Sequence, residues 1–247
     1  MPPPGHVFAR YAYPPNVLGY CGPPDPRALV EASSGSGDSG NLGSLARSFT
    51  GAWPYLELIA ATNGIADPLA PEVVEAYWIG NALLDGVPSS ALLEVVEQHP
   101  DARLLSRSQL REAVTAGGVA HHCFHVFAVY PWLGVLRSGR GEPALTVLDR
   151  CRIRWGRVAR VDGDEVTVQS RPLGYDGRAL VLLEERVERA RRGPLDGLGP
   201  VGDLVPGDVV SLHWDWLCDR LDPGALTSLE HFTARSMAAV NATGGQS

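Results

Sequence analysis

The chain has 247 residues, 45% of them hydrophobic, which suits one large domain or two modest ones of ordinary globular composition. Its formal charge of −7 argues against nucleic acid as the main partner, since phosphate binding needs a basic face; every basic side chain is an arginine. Apolar runs are soon broken by Gly, Pro or charge, and Met1-Pro-Pro-Pro-Gly-His6 lacks the basic and apolar regions of a signal peptide. These features predict a cytoplasmic protein with no membrane insertion.

Residues 1–43 are rich in Pro, Gly and Tyr, and the pattern predicts an extended arm followed by a flexible loop over 32–43. From 44 to 140 the periodicity is helical, and this stretch is expected to form an all-helical domain. Pro54 bends the first helix or helix pair, and Pro71 opens a helix with Val74, Tyr77 and Trp78 on one stripe. Ala91–Gln98 is a short helix. Ser106 caps the next, which Gly117-Gly118 ends. A further helix is expected from Ala120 towards Pro131.

Beyond Gly141 the pattern changes. Val158–Val161 and Val166–Val168 flank Asp162-Gly163-Asp164, a hairpin signal, and Leu180–Leu183 and Val209–Trp216 read as further strands. The basic run Arg186–Arg192 reads as a solvated face. Asp222 and Pro223 then open a C-terminal helix. Residues 147–241 are therefore expected to form a small barrel with a C-terminal helix. The whole chain is α+β, with the helical domain first.

The four cysteines, at 21, 123, 151 and 218, have no paired spacing and suit free thiols or metal ligands better than disulfides. Cys151 opens the run of strands, and the arginines at 152 and 154 are expected to favour its thiolate. Along 209–216, alternation puts Val210, Leu212, Trp214 and Trp216 on one face and His213 and Asp215 on the other. Asp215 is then placed to accept the second imidazole N–H of His213, as carboxylates do behind metal-bound histidines. Cys151 and His213 together form a two-point site for a soft metal. Their residue types also fit an ordinary buried thiol and a surface histidine.

The spacing of this segment adds a resemblance. Cys151, Gly156 and Val158, the turn at Asp162-Gly163, then Pro206-Gly207-Asp208, Val210 and His213, and the helix after Leu221-Asp222, resemble the HypC-type [NiFe]-hydrogenase maturation chaperones. That resemblance implies an OB-like barrel in which Cys151 and His213 carry an iron–cyanide–carbonyl fragment. The implied partners are hydrogenase maturation proteins or the hydrogenase large subunit. The family Pro is replaced by Trp155, and Cys151 is internal to the chain. Ala9–Asn16, Gly19–Pro23, Glu75–Trp78 and His125–Trp132 look like stretches of an uncharacterised actinobacterial family associated with uptake-hydrogenase gene clusters.

A second constellation is His121-His-Cys-Phe-His125. On a helix His121 and His125 share a face at i, i+4, which suits two ligands of one ion, while His122 points elsewhere. Glu57, Glu75 or His99 would have to complete such a site, and hydrogen bonding to backbone at a helix start explains the cluster as well. The resulting expectation is a carrier or scaffold for iron with no catalytic turnover. An iron-dependent enzyme built on His121 and His125, or a metal-free interaction module, stands as the alternative.

Overall fold

The structure, a computed structural model, describes residues 4–33, 39–100, 102, 106–139, 141–192 and 202–244. The N-terminal region is helical: α1 Pro4–Val17, α2 Pro26–Ser33, α3 Ser39–Arg47, α4 Trp53–Thr62, α5 Pro71–Trp78, α6 Ser89–Gln98 and α7 Arg107–Thr115. Then come α8 His122–Phe124, running directly into a π-helical turn His125–Val129, and α9 Trp132–Arg137 and α10 Gly141–Cys151. Among the described residues no helix is long and apolar enough to cross a membrane.

The helix signals are met where they are local. Pro71 lies in the first turn of α5, and the Ser106 hydroxyl accepts from the Gln109 amide at the start of α7. Pro54, in contrast, bends no helix: α3 has already ended at Arg47, and Pro54 lies in the first turn of α4. Gly117, at a φ of 113°, follows the end of α7.

The extended arm is not found. Residues 4–17 and 26–33 are helices, and α3 takes in 39–43, while 34–38 of the expected loop lie outside the described residues. Pro14 and Pro15 fall in the last turn of α1, so they cost it only two late amide donors. Burying Phe8, Tyr11 and Ala12 in the core outweighs that loss.

Seven strands follow among the described residues: β1 Arg154–Asp162, β2 Glu165–Ser170, β3 Leu173–Tyr175, β4 Leu180–Leu182, β5 Arg186–Arg191, β6 Val209–His213 and β7 Trp216–Arg220. Five of them pair in the order β1-β2-β5-β7-β6, and β6 pairs back to β1, so the sheet closes on itself. Val158, Val166, Val168, Val210, Leu212 and Leu217 fill it. The β1–β2 hairpin turns at Gly163, at a φ of 56°. Leu180–Leu182 does form a strand, but it pairs with β3 in a separate two-stranded sheet. Arg186–Arg191 is a strand whose Glu188 and Ala190 face inward, and only its other side chains form the solvated face.

The expected break between two domains is bridged. Helix α10 runs across it, and the C-terminal helix α11, Pro223–Asn241, packs on α7, α8 and the π-helical turn. One hydrophobic core therefore extends from Phe8 through α10 to Val240, with the interior of the closed sheet as a smaller core beside it. Asp222 caps α11 by accepting from the Ala225 amide, as its sequence indicates.

Gly80 joins the two ends of this core. It follows α5 at a φ of 99°, donates to the Glu75 carbonyl, and a Cβ there would run into the ring of Phe232 on α11. Gly80→Ala combines a left-handed backbone with overpacking and is expected to cost about 2–4 kcal/mol. Urea denaturation measures this. A loss near zero would show that α11 can move away from α5.

Candidate metal centre

The site begins at the end of α10. The last carbonyls of a helix have no partner within it, and buried ones must find partners elsewhere. Here the Asp149 and Arg150 carbonyls accept from the Arg154 guanidinium, each at 3.3 Å, and the Trp214 amide donates to Arg150 O at 2.7 Å. The Cys151 carbonyl lies 2.8 Å from His122 Nε2. Pairing these groups draws together the α10 terminus, the turn after β6 and the start of α8.

Cys151, His122 and His213 converge as a result. Their sulfur and ring-nitrogen donor atoms lie within 4.8 Å of one another, and all three residues are buried. Among the described residues no other trio of His, Cys, Asp or Glu gathers in this way. Cys151 and His213 are the pair picked out in the sequence, and they meet. Cys151 is the last residue of α10, just ahead of the first strand.

His213 is held from behind. Its Nδ1 donates to the Tyr11 carbonyl at 2.6 Å, which leaves the lone pair on Nε2, an atom with no hydrogen-bond partner. In an unbroken helix Tyr11 O would accept from the amide of residue 15, but Pro15 has none. The proline pair in α1 thus supplies the carbonyl that orients the imidazole. Tyr11 also places its hydroxyl 2.8 Å from Ser211 Oγ, on the same face of β6.

His122 has a partner at each ring nitrogen. Nδ1 is 3.1 Å from the Tyr77 hydroxyl, which in turn lies 2.6 Å from the Gly51 carbonyl. A proton on Nε2 is donated to Cys151 O. A proton on Nδ1 completes a relay through Tyr77 to Gly51 and frees Nε2 for an ion. Second-ring partners of this kind are how metal-binding histidines are oriented. Trp78 packs against both imidazoles, with ring centroids 4.6 and 5.7 Å away.

Burial makes the imidazoles neutral. It pushes His122 down to about 4 and His213 well below the usual histidine range. It also raises the Cys151 thiol, with help from the nearby Cys21 and Cys123. The expected thiolate support from arginine is absent, because Arg152 pairs with Asp149 at 3.0 Å and Arg154 with Glu188 at 3.2 Å. Above the trio lies a cavity of about 200 Å³ with mostly apolar walls, among them Phe49, Val147, Trp132 and Trp214.

Other expected ligands lie elsewhere. Asp215 does not support His213. The strand stops at His213, and a two-residue turn begins with Trp214 at a φ of 53°, so the alternation fails. The Asp215 carboxylate instead accepts from Arg150 at 2.9 Å, half-exposed.

His121 and His125 do not share a helical face, because the helix starts after His121. His121 is its N-cap, accepting from the Cys123 amide, and its ring stacks on Phe232. His125 Nδ1 meets the Tyr55 hydroxyl at 2.9 Å, and its ring packs beside His99 and Tyr130. Glu57 and Glu75 are exposed and do not converge on either histidine. The residue that sequence reasoning missed is His122. No local signal marks it, because the groups that hold and join it, Tyr77, Cys151 and His213, come from α5, α10 and β6.

The buried histidines also set an acid limit on stability. His121, pushed down to about 3 by burial, His122, at about 4, and the lowered His125 and His213 stay neutral in the fold. Unfolded, each takes up a proton near pH 6.5. Stability is therefore fully present above that pH and falls as pH drops towards 4, by about 1.4 kcal/mol per unit for each histidine. Urea midpoints measured between pH 7.5 and 4.5 should fall steeply below 6.5. A flat profile would mean that these rings gain protons inside the fold.

No curated protein and no solved structure matches the chain. One family of unknown function, DUF6390, matches residues 3–247. Since that match runs almost from end to end, the chain belongs to this family.

Proposed function

We propose that this protein carries or scaffolds an iron fragment for [NiFe]-hydrogenase maturation, holding it through Cys151 and His213, with His122 as a third ligand. The observation that carries the reading is the convergence of Cys151, His122 and His213 beneath an apolar cavity. The first and last of these are the residues that the resemblance to HypC-type chaperones selects, and they lie far apart in sequence. A closed five-stranded sheet followed by a helix fits the HypC-like, OB-like barrel that the resemblance implies.

The donor set fits the task. Thiolate and imidazole are ligands that iron accepts, and the rings are already neutral with their second nitrogens held. Iron held by Cys151, His122 and His213 would lie beside the cavity, whose apolar walls would leave room for diatomic ligands such as cyanide and carbon monoxide. The protein's own part is to orient the donors, to exclude water behind Trp78 and Trp214, and to present the loaded site to maturation partners. No step in this role requires turnover, so the reading is a carrier rather than a catalyst. His121 and His125, on which an enzyme reading would rest, are held in other contacts.

The test is anaerobic purification with iron and the hydrogenase maturation partners, followed by infrared spectroscopy in the cyanide and carbonyl region. Bands are expected in the wild type and should vanish in Cys151→Ala and His213→Ala. Their absence from the wild type would sink the carrier reading. Pro15→Ala tests the support behind His213, because it gives Tyr11 O an amide to pair with. Metal affinity, read by competition with a chelator, should fall by about 10–100-fold. The melting temperature should hold or rise, since the substitution removes a proline from a helix.

A further inference from the structure

Cys21 lines the same cavity as Cys151, His122 and His213. It sits in the turn between α1 and α2, which is built tightly. Asn16 Nδ2 donates to the Cys21 and Pro23 carbonyls, both at 2.8 Å, and Tyr20 stacks on Trp214 with ring centroids 4.3 Å apart. Gly22, at a φ of 93°, lies so close against Phe49 that no Cβ fits. With its backbone pinned in this way, Cys21 is held at the cavity. Its thiol makes no hydrogen bond among the described residues; it lies outside the cluster of three donors, on the wall of the cavity that they line.

Charge gives this thiol a task. No Asp or Glu lines the cavity. A divalent ion held by Cys151 and two neutral imidazoles keeps one uncompensated positive charge in apolar surroundings, which is costly. A second thiolate neutralises it. Two thiolates and two imidazoles also complete the four-coordinate set that divalent ions of this kind adopt. The unpartnered, fully buried Nε2 of His213 points independently to a ligand here.

We propose that Cys21 is the exchangeable fourth ligand of this site. It closes the set on a bare divalent ion and leaves when anionic ligands such as cyanide arrive. On binding, the Cys21 thiol gives its proton to solvent and its sulfur lone pair to the ion. On leaving, it takes a proton back, because the incoming anions supply the negative charge. The inference rests on the metal reading of His122, Cys151 and His213 and assigns that site its loading state.

The experiment uses the full chain and cobalt(II) alone, without oxygen. X-ray absorption of the wild type should count two sulfur atoms per cobalt. The thiolate-to-cobalt absorption should fall to roughly half in Cys21→Ser and in Cys151→Ser, and disappear in the double variant, with thermal melts showing that each variant folds. One sulfur per cobalt in the wild type, or an unchanged spectrum in Cys21→Ser, removes Cys21 from the site and leaves the three-ligand reading standing. Failure of the wild type to bind cobalt overturns both.

Discussion

The candidate site depends on backbone carbonyls that their own helices leave unpaired. Helix α10 ends with the carbonyls of Asp149, Arg150 and Cys151 buried, and α1 loses an internal donor at Pro15. Arg154, the Trp214 amide, His122 and His213 pair with these groups. Leaving a buried carbonyl unpaired costs about 1–3 kcal/mol, so the fold enforces these contacts, and the His122 tautomer that frees Nε2 for an ion gives up its own contact with Cys151 O. Orientation of the imidazoles follows from backbone accounting. The metal-type donors are thus brought together without a carboxylate behind either histidine.

Arg154 carries much of this load. Beyond the α10 carbonyls, its guanidinium donates to Trp214 O at 2.7 Å and pairs with Glu188 on β5. Burial opposes ionisation of Glu188, but Arg154, the Ser170 hydroxyl and Arg150 together hold its carboxyl below the usual range. A helix end, a hairpin turn and a neighbouring strand therefore meet on one cation, and Cys151 and His213 ride on two of them. The sequence shows Arg154 only as a charge near a thiol. Its role in spacing the two ligands requires the partners, which come from three other elements.

What could be read from the chain follows this division between local and long-range causes. Caps, proline-led helix starts, the Asp162-Gly163 hairpin and α11 are written in adjacent residues, and all are present. The pairing of Cys151 with His213 was legible because a motif spacing spans both. The extended arm failed because proline content was weighed without the burial that Phe8 and Tyr11 find. Asp215 failed because strand alternation holds only while the strand lasts, and it stops at His213. His122 was missed because the groups that hold it, the Tyr77 hydroxyl and the Cys151 carbonyl, come from α5 and α10, far from it in sequence.

Trp214 shows how these constraints reach the cavity mouth. A two-residue hairpin turn with a left-handed first position usually takes Gly there, because a bulky side chain at that φ is strained. Glycine would remove the strain, but it would also remove the indole that walls the cavity and stacks on Tyr20. Trp214 is held in this conformation from both sides, by its amide on Arg150 O and its carbonyl on Arg154. The residue that follows the candidate ligand His213 is thus fixed by the same groups that end α10 at Cys151. Strain kept at such a position marks it as part of the site.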